Sequence, residues 1–397
     1  MNSSESNNGQ LYVCPVINAM GPVVDSRHND LLPDWEAVDN AVDKIFNPAF
    51  RASYKDSYQR MVAFSWFFIS WSGFKTNPVQ RDFGYFNIFD HYNQRWSNEM
   101  KKYNDQLFWM YNHPAESGIG NEWGLDWLHN SHYLQILMRF VAERQYFPSV
   151  VEIVTEKNDT SHFLENYFPF DLSNRNSVDV NWNAINADGK PMSDVIDWRR
   201  APHDWEIYSP SELDYQRPGS MKRKIGRLLD IKSVVYELKD YEIEKAFQTC
   251  LEGKNAMICA YEHDFRDRYQ TIVDKLLDPV VRISKKYPEI KWRYANVLEA
   301  FQNLSNDSND SNDIKLNFNI KLDANGNLLI HSNGSIFGRF PFAFLKNGDD
   351  YIHLTPLPVG ENVWLLDKGI LIPGYQLFVA ACTANGCIGI NTFDVSF

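Results

Sequence analysis

The chain has 397 residues, 44% hydrophobic and 23% charged, the composition of a folded protein with room for a large domain and a smaller one. Its formal net charge of −12 argues against nucleic acid or an anionic membrane surface as a partner, while leaving room for an acidic sugar held by a local arginine cluster. No apolar run reaches the ~18 residues of a membrane-spanning helix. Aromatic residues reach 15%, with 12 Trp and 20 Tyr, flat faces that either stack on sugar rings or fill a core. Residues 1–10 are polar and lack the regions of a signal peptide, which predicts a cytoplasmic protein with reduced thiols. Five cysteines, an odd number, agree with that expectation, although Cys382 and Cys387 could meet across a hairpin.

In chain order, the apolar run 11–17 predicts a first strand, broken at Gly21-Pro22 into the polar loop 25–30. Asp34 then starts a helix with Trp35-Glu36-Ala37-Val38, an acid lying where the helix dipole favours it. Residues 61–69 predict a second buried strand and 106–111 a third. That third strand runs into Asn112-His113-Pro114 and the glycine-rich 117–120. Residues 130–146 carry a helical apolar pattern through Leu134, Ile136, Leu137, Phe140 and Val141, and 149–154 predict the next strand. Met257 to Tyr261 form the last well-marked strand, ending in His263-Asp264, ahead of a helix over 269–286. Strands alternating with helices imply a parallel sheet, open or closed into an incomplete barrel.

The polar low-complexity run 303–313 cannot contribute to a packed core and reads as a linker. Beyond it, 316–322 alternates at period two, Asp323-Ala324-Asn325-Gly326-Asn327 supplies a turn, and a strand resumes at Leu328. The expected organisation is a barrel-like domain over 1–302, the linker, and a small antiparallel β-sandwich over 314–397.

Four polar groupings could carry chemistry. Asp25, His28 and Asp30 offer metal ligands or acid–base groups just after the first strand; the alternative is a solvated loop in which Asp25 caps local backbone. His113 sits among Trp109, Tyr111, Glu122, Trp123, Asp126 and Trp127, a setting that suits a carbohydrate groove and also occurs in plain cores. In the polar stretch 197–211, Arg199 and Arg200 can grip a carboxylate while Trp205 and Tyr208 stack. His263 beside Asp264 makes a tuned acid or base, or else Asp264 caps a helix. There is no nucleophile elbow, no phosphate-cradling loop and no dinucleotide glycine fingerprint, which removes much nucleotide and serine-hydrolase chemistry.

With strand order, Phe147-Pro148 before the fourth strand, the 199–211 segment and His263-Asp264 in place, the first 300 or so residues resemble the polysaccharide deacetylase (NodB-like) superfamily. They are closest in type to the large deacetylase-like proteins of bacterial surface-polysaccharide synthesis. The resemblance implies an incomplete (β/α) barrel hydrolysing the amide of an N-acetylated sugar with a divalent metal, zinc foremost. By position His113 matches a third-strand metal ligand and His263 the late histidine that acts as acid. Asn18 and Met20 stand where the pattern places acids, and Met110 and Asn112 where it expects a second histidine. Asp25 would then serve as base, with His28, Asp30 and His113 on the metal. Arg199, Arg200, Trp205, Tyr208 and Asp264 would hold the sugar. The other outcome is a relative that binds a glycan, or a partner enzyme of glycan synthesis, without hydrolysis. The resemblance leaves open a homo-oligomer.

Overall fold

Unbroken apolar runs set the middle of the sheet, as expected for parallel strands buried on both faces. The computed structural model describes residues 8–23, 30–70, 86–111, 132–153, 161–185, 197–231, 237–305 and 315–395. β1 (Leu11–Ala19) is buried throughout; it pairs in parallel with β8 (Ala256–His263), from Leu11 opposite Ala256 to Asn18 opposite His263. On its other side it meets β2 (Ser65–Ser70) from Val16 onward, and its first residues meet β9 (Trp292–Tyr294). From β2 the sheet continues through β3 (Gln106–Tyr111), β4 (Val150–Ile153), β5 (Phe170–Asn174) and β6 (Lys224–Arg227), every pair parallel. At the far side β8 pairs with β7 (Leu229–Asp230). Only Leu228 separates β6 from β7, so one run of chain passes from β5 to β8 and draws the sheet into a nearly closed barrel.

Helices cover the outside. Among the described residues they are α1 (Trp35–Phe46), α2 (Pro48–Ser53), α3 (Asn87–Tyr103), α4 (His132–Arg144), α5 (Ser161–Tyr167), α6 (Asp240–Leu251), α7 (Tyr269–Ile272), α8 (Asp278–Ser284) and α9 (Val297–Leu304). The Asp34 side chain caps α1 by accepting from the Ala37 N–H. A π turn, Val273–Leu277, joins α7 to α8, so the helix expected over 269–286 contains one widened turn. Trp66 stacks on Phe46 of α1, and Tyr111 meets Tyr133 of α4, so alternate strand residues point outward to the helices. Register partners in parallel strands share a face. Asn18, Phe67, Phe108, Met110, Glu152 and His263 therefore belong to the opposite, inward set.

The C-terminal region holds two antiparallel sheets. One has the order β10 (Phe318–Leu322), β11 (Leu328–Ser332), β15 (Val363–Leu366), β14 (Leu357–Gly360). The other runs β13 (Asp350–Leu354), β12 (Phe342–Asn347), β16 (Gln376–Cys382), β17 (Ile388–Asp394). Between them lies an apolar core that includes Phe318, Leu328, Ile330, Leu345, Trp364 and Val379. The outer face of the second sheet, with Phe342, Phe344 and Phe378, joins the barrel's own core against Phe147 and Tyr167. The sandwich is thus docked on the barrel by a continuous apolar contact. Residues 303 and 304, expected to open the linker, belong instead to α9, which runs to Leu304; 306–314 lie outside the described residues. Cys382 and Cys387 form no disulfide: both are free thiols, and the Cys382 thiol faces the Pro148 carbonyl at 3.3 Å.

Candidate functional site at the mouth of the barrel

In barrels of parallel strands, ligands gather at the carboxyl ends. Here those ends bring together β1, β4, β8 and the residues following β5. On β4, Glu152 is fully buried inside the apolar run Val150-Val151-Glu152-Ile153. Its Oε1 accepts from Asn18 Nδ2 across the barrel at 3.1 Å and from the Arg175 guanidinium. Asn18 and Arg175 are 2% and 1% exposed, so the trio is sealed from water. Burial raises the Glu152 carboxyl above the ordinary range, against the opposing pull of Arg175, Asn18 and His263. Glu152 Oε2 and Asn18 Oδ1 have no hydrogen-bond partner among the described residues.

His263 ends β8 on the inward set, its side chain 25% exposed, with its ring against Tyr261 and Phe265. The Arg175 guanidinium lies over the Tyr261 ring at 5.3 Å. On the outward set beside it, Glu262 is nearly buried. Desolvation pushes its carboxyl up, but His263 and Arg268 outweigh that and hold it below the ordinary value. Asp264 is buried and works on the backbone: it accepts from Met20 N–H at 2.8 Å, Gly21 N–H at 2.9 Å and Tyr92 Oη at 2.9 Å. Burial raises its carboxyl, and those donors oppose the rise. Asp264 therefore ties the end of β1 to α3.

The remaining expectations fare differently. Asp25, His28, His113 and Asn112 lie outside the described residues, as do Glu122, Trp123, Asp126 and Trp127. Asp30 is described, and its carboxylate is held by Arg266 and Arg268. Desolvation raises its pKa, but the two guanidiniums overcome that and leave it lowered. The 199–211 segment touches the residues at the end of β5, where Asn174 Nδ2 donates to the Pro202 carbonyl at 2.7 Å and Asn176 Nδ2 to that of Ala201, and then runs toward the strand starts. The Trp205 carbonyl accepts from Met257 N–H near the start of β8, and Tyr208 bridges Ile225 near the start of β6. The segment fills the wall where β6 does not reach β8. Trp205 is buried beneath the Arg227 guanidinium and donates to the Glu242 carbonyl. Tyr208 is buried and donates to the Tyr215 carbonyl. Arg199 pairs with Asp197 at 3.0 Å and Arg200 with Asp214 at 2.9 Å, within the same loop.

Metal chemistry asks for anionic or imidazole donors free to converge. The described end of the barrel presents the Asn18 amide, the Met110 thioether, the His263 imidazole and a Glu152 carboxylate already carrying a guanidinium. Among the described residues no group of three His, Cys, Asp or Glu side chains is gathered to hold an ion. His28 and His113, expected on the metal, lie outside the described residues, and Asp30 is held by two guanidiniums. Among the described residues no helix is long and apolar enough to cross a membrane.

Glu152 and Arg175 escaped the reading of the sequence. A lone carboxylate inside a four-residue apolar strand was a visible signal for the first; the second follows β5 with no local pattern to mark it. Comparison with protein-family models, with curated proteins and with solved structures returns no match.

Proposed function

We propose that this chain is a deacetylase-like barrel that binds a glycan at the mouth of its sheet without metal-dependent hydrolysis. The observation that carries the reading is the Asn18–Glu152–Arg175 cluster. A fixed guanidinium charge sits at the strand ends, in the region where the resemblance implies a cation. Glu152 Oε2 and Asn18 Oδ1 there have no hydrogen-bond partner among the described residues, acceptor capacity that the hydroxyl and amine groups of a sugar entering the mouth would meet. His263 and Tyr261 add a polar edge and an aromatic face beside it. Under this reading Glu152→Gln and His263→Ala each weaken binding of hexosamine oligosaccharides about tenfold or more, measured by calorimetry. Unchanged affinity in both variants contradicts it.

One observation favours a second reading. Glu152 is a buried carboxyl with a raised pKa, coupled to His263, which is the pairing an acid–base hydrolase uses. In that case His263→Ala abolishes release of acetate from N-acetylated glycans while leaving the melting temperature near the wild-type value. A large fall in melting temperature with no activity to lose assigns His263 to the scaffold.

A further inference from the structure

Asn-Gly suits a tight turn because glycine takes positive φ without strain, but asparagine there is also chemically labile. Five Asn-Gly pairs occur in the chain, at Asn8, Asn325, Asn333, Asn347 and Asn385. We infer that Asn347-Gly348, at the tip of the β12–β13 hairpin, is the pair the fold leaves open to deamidation and isoaspartate formation. The reaction requires the glycine nitrogen to reach the asparagine Cγ, so a bond on either group, or packing around the glycine, slows it. Asn347 is exposed, and its carboxamide makes no hydrogen bond among the described residues. The Gly348 N–H has no partner among them either. Gly348 has φ +56°, and no heavy atom beyond its chain neighbours lies within 4 Å of where a Cβ would stand.

The other four pairs are held. Gly9 N–H donates to the Cys250 carbonyl at 2.8 Å, and a Cβ there would stand 1.7 Å from the Lys254 carbonyl oxygen. Asn333 uses both ends of its amide, accepting from Asn317 N–H at 2.8 Å and donating to the Lys315 carbonyl at 3.0 Å. Gly386 is buried, its N–H donates to the Thr383 carbonyl at 3.0 Å, and a Cβ on it would stand 2.8 Å from Leu298. Asn325 is exposed, yet Gly326 N–H donates to the Asp323 carbonyl at 3.1 Å, in a turn the Asp323 carboxylate ties from within. It ranks second.

The step needs water and a base to draw off the amide proton. The Gly348 nitrogen attacks Asn347 Cγ, and the new C–N bond closes a cyclic imide as ammonia leaves. Water then opens the imide, giving aspartate or, where the main-chain carbonyl is cut, isoaspartate. Either product adds a carboxylate beside Asp349 and Asp350, and isoaspartate lengthens the main chain by a methylene where Asn347 faces Asp350. Tyr351, next on β13, donates to Glu143 of α4 at 2.7 Å, so the altered hairpin is one that meets the barrel.

The test incubates the full chain at mildly alkaline pH, folded and in urea, and maps it by mass spectrometry and by methyl transfer from an isoaspartyl methyltransferase. In the folded chain the Asn347 peptide is expected to convert first, several-fold ahead of Asn325, with Asn8, Asn333 and Asn385 near background. In urea all of these pairs are expected to convert at comparable rates. Asn347→Ser is expected to remove most of the early ammonia release and methyl acceptance of the folded chain, and Asn325→Ser only the later part. Leading conversion at any other pair in the folded chain overturns the inference. So does an order of conversion that unfolding leaves unchanged, or an intact Asn347 in folded protein once the unfolded chain has converted.

Discussion

Among the described residues the buried carboxylates are met by guanidiniums or by hydrogen-bond donors, and the buried polar atoms left without a partner are the informative ones. His353 on β13 carries one. Its ring packs against Phe342, its Nε2 has no partner among the described residues, and burial lowers its pKa from 6.5 to about 4. The folded state therefore keeps the imidazole neutral where the unfolded chain takes up a proton. The sign follows directly: the stability is whole above pH 6.5 and drains away as pH falls toward about 4. The loss is at most about 3 kcal/mol from this residue. Urea melts of His353→Phe across that window are expected to show a flatter pH dependence than the wild type. Parallel curves would remove His353 from the account. The same logic applies to Glu152, whose raised carboxyl marks a charge the fold holds at a cost, and residues held that way are where function is to be sought.

At the scale of elements, polar anchors set where strands begin. Asp105, just before β3, accepts both Arg51 guanidinium nitrogens, at 2.9 and 2.7 Å, together with Phe64 N–H and Trp66 Nε1 at 2.9 Å each. Arg51 and Asp105 side chains are both fully buried, so this group locks α2, β2 and β3 into one register. Asp105→Ala leaves a buried guanidinium uncompensated and is expected to cost about 3–5 kcal/mol in denaturant melts. A loss below about 1 kcal/mol would show that the junction tolerates the charge. Elements with strong apolar periodicity were legible in the sequence: β3 matches the expected 106–111, and α1 begins one residue after its Asp34 cap. β5, β6 and β7 were not, because strands of two to five residues that include Asp171, Arg227 and Asp230 show no clean period. In the sandwich, β10 showed its alternation because one face is exposed. β12 and β16 read as continuous apolar runs because the barrel covers their second face.

Across the whole molecule the docking of sandwich on barrel is tight enough to be tested by one methyl group. A Cβ at Gly338 would stand 1.6 Å from the Asn166 carbonyl oxygen, a backbone atom in the last turn of α5 that cannot swing aside. Gly338→Ala is expected to push the sandwich off the barrel and split one calorimetric unfolding transition into two. A single transition at the wild-type temperature would mean the contact yields. Scale also explains what the sequence concealed of the site. The 199–211 segment looked like a binding loop because it is dense in Arg, Trp and Tyr. Composition does not distinguish arginines paired within their own loop from arginines awaiting a ligand, and here Asp197 and Asp214 take them. The mouth was only half legible: His263 and Asn18 stood out by their place at strand ends. Arg175 meets Glu152 from 23 residues away, a contact that the pairing of β4 with β5 creates.

The most direct test is a calorimetric titration of chelator-treated protein with a partially acetylated hexosamine oligosaccharide, followed by an acetate-release assay with zinc added back. Saturable binding without metal, and no acetate released when zinc is restored, is the predicted result. Absence of binding, or deacetylation that appears with zinc, would contradict a mouth built on Asn18, Glu152 and Arg175 to bind a glycan without metal chemistry.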